Sequence, residues 1–145
     1  MEHHSILRVV SKLLIPPMLV FALYVQFHGE YSPGGGFQAG VVFAAAFILY
    51  SLVHGIDALI KIVPPRALHV FSAVGALIFA GTGVVTMLLG EPFLGYYALA
   101  ENPVHAQEWG IVIVEFGVGM TVASVMLSLF IAFASHNPRL DDKDW

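Results

Sequence analysis

One acidic residue, Glu115, stands inside a long apolar run, Gly110-Ile-Val-Ile-Val-Glu115-Phe-Gly117-Val-Gly119. A charged side chain at the middle of a membrane helix costs about 3 kcal/mol unless it is paired, hydrated or protonated. Burial disfavours the charged carboxylate and a nearby cation favours it. A group balanced in this way can exchange a proton for a cation. Helix rise puts Glu115 about 9 Å past Trp109, inside the hydrocarbon but short of its centre. Two readings fit: a residue on an ion path, or a structural carboxyl hydrogen-bonded to a neighbouring helix.

The second notable feature is Tyr31-Ser32-Pro33-Gly34-Gly35-Gly36-Phe37-Gln38-Ala39-Gly40, set between two apolar runs. A Pro followed by three Gly can be a soft, solvated linker. Three glycines also let a backbone turn sharply and let another helix approach closely. At a membrane face irregular backbone must be satisfied by protein. A shaped, packed turn is therefore the alternative, with Pro33 and Phe37 anchoring the next helix and Gly34–Gly36 in conformations closed to other residues.

Little else in the chain could do chemistry. There is no cysteine, hence no disulfide, iron–sulfur cluster or thiol chemistry. His105 and Glu108 can share a helix face, but one His and one Glu are too few for a metal site. His54 and His69 flank a connection and read as solvated or hydrogen-bonded rings. No phosphate loop, nucleophile triad, haem pair or nucleic-acid patch is visible. The expectation is no catalytic residue, no metal, no cofactor, no nucleic acid partner and no enzyme.

The elements that position these residues follow from composition. Of 145 residues, 58% are hydrophobic and 11% charged, and the mean hydropathy is +0.82. Soluble domains carry about 25% charged residues, so this is an integral membrane protein. A span needs about 20 apolar residues. Four stretches qualify, at 6–27, 37–60, 67–89 and 110–134, giving one all-α transmembrane domain over 1–145. Pro16-Pro17 should kink or break the first helix.

The six Lys and Arg fall in three places. Arg8 and Lys12 start the first span, Lys61 and Arg66 lie between the second and third, and Arg139 and Lys143 follow the fourth. The connections 28–36 and 90–109 have none. The positive-inside rule puts both termini in the cytoplasm. The apolar start is not read as a secretory signal, because no A-x-A-like cleavage site follows. Glu30, Glu91, Glu101 and Glu108 make the outer connections acidic, which concentrates cations or merely obeys topology. The longer outer connection predicts a short interfacial helix or a docking surface.

Small residues recur at helical spacing. Gly36, Gly40 and Ala44, nearly extended by Ser51 and Gly55, form a small-xxx-small face. Ser72, Gly75, Gly83, Thr86 and Gly90 lie near one face of the third span, where Ala80-Gly81-Thr82-Gly83 predicts a bend or a packing notch. In the fourth span Glu108, Glu115, Gly119 and Met126 share one face, and Gly117, Thr121, Ser124 and Ser128 another. Four helices offer too few neighbours to cover all these faces, which predicts additional subunits.

The order of these features resembles the MnhB/MrpB family, small membrane subunits of multisubunit Na⁺/H⁺ antiporters. The resemblance rests on His28-Gly29, on Ser32-Pro33-Gly34-Gly35-Gly36-Phe37-Gln38-Ala39-Gly40 and on Gly110–Gly119. It covers the chain from about Ser5 to Phe133. Ala39 stands where a second Gly is common in the family. The resemblance implies a complex of several membrane subunits in a prokaryotic plasma membrane, exchanging cytoplasmic Na⁺ for external H⁺. This chain would be needed for assembly and would line part of an ion path at Glu115. A structural subunit of a related redox-driven, hydrogenase-like complex, or a pure spacer, are the other readings.

Overall fold

The computed structural model of the chain describes residues 2–29 and 34–135. Pro33, with Glu30, Tyr31 and Ser32, lies outside the described residues, as do Arg139, Lys143 and the rest of the C-terminal tail.

The described chain is helical, with helices α1 (Glu2–Phe27), α2 (Gly36–His54), α3 (Ile56–Ile62), α4 (Pro65–Leu88) and α5 (Pro103–Ser135). A single 3₁₀ turn, Tyr96–Leu99, interrupts the connection between α4 and α5. Helices α1, α2, α4 and α5 are each long and apolar enough to cross a membrane. Four spans therefore stand as the sequence requires. Helix α1 does not break at its prolines: Pro16 and Pro17 sit inside one continuous helix.

Two boundaries differ from expectation. The second apolar run does not continue as one helix to residue 60. It ends at His54, where Gly55 adopts φ +90° and the chain restarts as α3. That φ suits glycine and is poor for other residues. Gly55 is exposed and so does not extend the small face of α2. Helix α5 begins at Pro103 rather than near Gly110 and has 33 residues. At about 1.5 Å per residue it is about 50 Å long. It must tilt in, or project beyond, a hydrocarbon core of about 30 Å.

Helix α5 is the centre of the bundle, touching α2, α4 and, more lightly, α1 and α3. Its Gly119 side faces α2 and α1, and its Gly117 side faces α4. The small face of α2 packs against α5 through Gly36 and Gly40, and Gly75 of α4 meets Gly117 and Thr121, whereas Gly83 of α4 meets Phe93 of the following loop. These contacts take up part of the small faces within the chain, and the expected additional subunits would meet the rest of its surface. The unpartnered surface is large apolar side chains, such as Leu13, Val20, Leu77 and Phe133.

The small α3 locks the other end of the bundle. Leu59 is fully buried and joins Ala44, Leu68, Leu127 and Ile131 in one apolar cluster. Burying a Leu side chain contributes about 2 kcal/mol, which explains why a helix of only about two turns between Gly55 and Pro64 stays in place.

Candidate functional site

The site forms where α5 crosses the start of α2. A Cβ on Gly36 would run into the backbone carbonyl of Glu115. A Cβ on Gly40 would stand 2.6 Å from the carbonyl oxygen of Gly119 and 2.9 Å from Val122 Cβ. The two helices meet backbone to backbone, as the spacing of Gly36, Gly40 and Ala44 predicts, and all three are buried. Close approach of this kind is what small-xxx-small faces permit in membranes.

The Gly-rich turn is shaped. Gly35 caps α2 with φ 127° and ψ −177°, a conformation that costs any other residue dearly. Its carbonyl accepts from the Ala39 N–H at 3.0 Å, which starts the helix. Gly35 and Gly36 are buried and Gly34 half-buried. Phe37 corrects the expectation. Its ring is 61% exposed on the chain, so it does not anchor α2 against another helix of this chain. Two residues past the Gly35 cap, helix rotation turns it away from α5.

The Glu115 side chain fills the corner behind this turn. Its Oε2 and Oε1 lie 2.6 and 2.8 Å from the position of a Cβ on Gly29, and Oε1 lies 2.8 Å from that on Gly35. Gly29 and Gly35 flank the segment that joins α1 to α2, so the carboxyl sits between the two ends of the connection. It also lies at the N-terminal end of α2, where unpaired N–H groups favour negative charge. Glu115 and the glycine motif, separate in the sequence, are one structural unit. The missing Cβ atoms make room for the carboxyl.

A third participant, Gln26 on the last turn of α1, escaped the sequence reading. It is 8% exposed. Its Oε1 lies against Gly119, one helical turn after Glu115, and the Gly36 carbonyl oxygen stands 3.0 Å from the same Cβ position. Its Nε2 is buried and has no hydrogen-bond partner among the described residues. The available signal was a lone amide in an otherwise apolar segment, a pattern that marks buried polar contacts in membrane helices.

The opposite side of α5 is structural. Gly75 and Gly117 approach each other, and the Thr121 hydroxyl reaches the carbonyls of Gly117 at 2.9 Å and Ser72 at 3.3 Å. Ser124 and Ser128 donate to their own helix, at 2.7 and 2.8 Å. In α4, Gly83 is the packing notch, filled by the Phe93 ring, whereas Gly81 faces open space and the helix runs on through both. Thr86, fully buried, ties down the following loop. It donates toward Gly83 O and Pro92 O at 2.9 and 3.3 Å and accepts from the Leu94 N–H at 3.1 Å.

That loop packs Tyr96 over Gly110, and burial pushes the Tyr96 phenol above its ordinary value. His105 pairs with Glu108 at 3.2 Å on an exposed face, an arrangement worth at most about 1 kcal/mol. The rings of His54 and His69 donate to the carbonyls of Tyr50 and Pro65 four residues back, at 3.2 and 2.7 Å. No group of three metal-ligating side chains occurs among the described residues.

Comparison with known proteins identifies the family. Residues 6–128 match the family model described as a domain related to the MnhB subunit of the Na⁺/H⁺ antiporter. Proteins named antiporter subunit mnhB2 from Staphylococcus aureus strains Newman, JH1 and Mu3 are each 30% identical over 138 residues. The alignments span 92% of this chain and 96% of each relative.

Proposed function

The chain belongs to the MnhB family of Na⁺/H⁺ antiporter subunits, and on that premise we propose how it serves such an antiporter. It is a multi-pass plasma-membrane subunit of a multisubunit Na⁺/H⁺ antiporter, a transporter component that works with other membrane subunits. Its task is to hold Glu115 at a corner where an ion path meets the bundle. Na⁺ and H⁺ are the ions that corner would handle. Within the motif Pro33, Gly34, Gly35, Gly36, Phe37 and Gly40 it is Gly35 and Gly36 that make room at the corner, and both termini lie in the cytoplasm.

The observation that supports this most is the contact of the Glu115 carboxyl with Gly29 and Gly35. The carboxyl stands beside the α1–α2 connection, at the N-terminal end of α2. Ionised, it is supported by the N-terminal end of α2 and by an entering cation.

The outward Phe37 ring supports the assembly role. An aromatic ring placed beside a rigid, buried cap is a surface for a neighbouring subunit rather than for this chain's core. The names of the relatives speak for an antiporter. The reading is tested by Na⁺-dependent proton movement in vesicles carrying the whole complex with Glu115→Gln. The chain by itself should exchange no ions.

A further inference from the structure

Helix α1 meets the central helix α5 only lightly. Along its outer half the inward face is Ala22, Gln26 and Gly29, spaced four and three residues apart as one helix face requires. Ala22 and Gln26 are buried and Gly29 is half-buried. The polar group on that face is the Gln26 amide, whose Oε1 lies against the Cβ position of Gly119 on α5. The Gly36 carbonyl oxygen, from α2, stands 3.0 Å from the same position. Three helices therefore meet at Gly119.

Gly119 lies one helical turn, about 6 Å, beyond Glu115 on the same face of α5. Two contacts pair the two faces: Gln26 with Gly119, and Gly29 with the Glu115 carboxyl, whose Oε2 is 2.6 Å from the Gly29 Cβ position. Two contacts of this kind set the register of one helix on another. The amide is a poor choice for packing alone. Its Nε2 is buried and has no hydrogen-bond partner among the described residues, and a buried donor without an acceptor destabilises a fold. An apolar side chain of the same length would carry no such penalty. The amide has instead a flat, rigid end that can lie against a Cα without a Cβ, and an oxygen that attracts the Gly119 Cα–H. A local cost retained in this way marks a functional place.

We propose that Gln26 is the positioning residue of Glu115. Its amide, wedged against Gly119, fixes the register of α1 on α5, so that Gly29 closes against the carboxyl and shapes the corner together with Gly35. The effect on exchange rests on the ion-handling role of Glu115 given above; the closing of the corner does not.

The test uses the whole antiporter complex and reads Glu115 chemically. A water-soluble carbodiimide with glycine ethyl ester converts reachable carboxyls to amides, mapped by peptide mass spectrometry with the exposed Glu101 as reference. Glu115, whose Oε2 is buried, should react slowly in the wild type. Gln26→Ala removes the wedge and should raise its labelling about fivefold and lower Na⁺/H⁺ exchange about tenfold. Gly119→Ala, whose Cβ pushes the amide out, should do the same. The double variant should return both readouts toward the wild type, because the new methyl takes the place the amide has left. Unchanged labelling in an assembled Gln26→Ala complex, or single effects that merely add in the double variant, overturns the proposal. Where a single variant does not assemble, recovery of assembly in the double variant supports the wedge, and its failure there overturns it. Wild-type exchange in Glu115→Gln would instead remove the ion-handling role, with the labelling result standing by itself.

Discussion

The Glu115 carboxylate oxygen Oε1 lies 2.8 Å from where a Cβ would stand on Gly35, whose φ is +127°. The turn and the carboxyl therefore constrain each other. Gly35→Ala meets two penalties, a backbone conformation costing about 1–3 kcal/mol and a displaced carboxyl. It should lower Na⁺/H⁺ exchange at least tenfold while the complex still assembles. Exchange at the wild-type rate would mean that the turn does not position Glu115.

Two glycine substitutions should behave oppositely. Gly36→Ala pushes a Cβ into the Glu115 backbone, which has no flexible end to give way. Overpacking of this kind costs about 1–3 kcal/mol, read as a lower melting temperature of the complex. Gly81→Ala enters open space in the middle of α4 and removes a poor helix former, for a gain of about 0.5–1 kcal/mol. Equal effects at the two positions would contradict the packing described.

Thr86 should matter more than Thr82. Thr86→Val leaves the Leu94 N–H without its acceptor in a buried place, at a cost of about 1–3 kcal/mol. Thr82 donates to Ile78 O of its own helix, so Thr82→Val should stay within about 0.5 kcal/mol. Limited proteolysis of the connection between α4 and α5 reads the difference directly, with faster cleavage in the Thr86 variant alone.

Phe37→Ala separates assembly from folding. An exposed ring contributes little to this chain's own stability, within about 0.5 kcal/mol, whereas a core ring contributes about 3–5 kcal/mol. The variant chain should reach the membrane in normal amount and co-purify less with its partner subunits. Loss of the chain itself would show that Phe37 is needed for folding.

Much of the architecture is legible from residue order. The four spans follow from hydropathy, and the face of Gly36, Gly40 and Ala44 follows from helical spacing. The meeting of Gly75 with Thr121 was implicit in two stripes of small residues but needed a pairing of helices to become a contact. Gly55 misled because glycine serves both as a packing notch and as a helix terminator, and only its φ tells which. Phe37 misled because a ring next to a rigid turn says nothing about which way the helix faces. Gln26 was silent because an amide in an apolar run gains meaning only from its neighbours. That Glu115 and Gly35 form one unit could not be read at all, since no local pattern links residues brought together by the crossing of α2 and α5.

The role of Glu115 is tested most directly by Na⁺-dependent proton movement, measured across pH in vesicles containing the whole complex. Glu115→Gln keeps the shape and most hydrogen bonds but cannot titrate, and should lose exchange at least tenfold. Glu115→Asp keeps the charge but draws it back by one methylene from Gly29 and Gly35, and should retain part of the activity. A Glu115→Gln complex with the wild-type rate and pH profile would remove Glu115 from the ion path and leave the carboxyl a structural role.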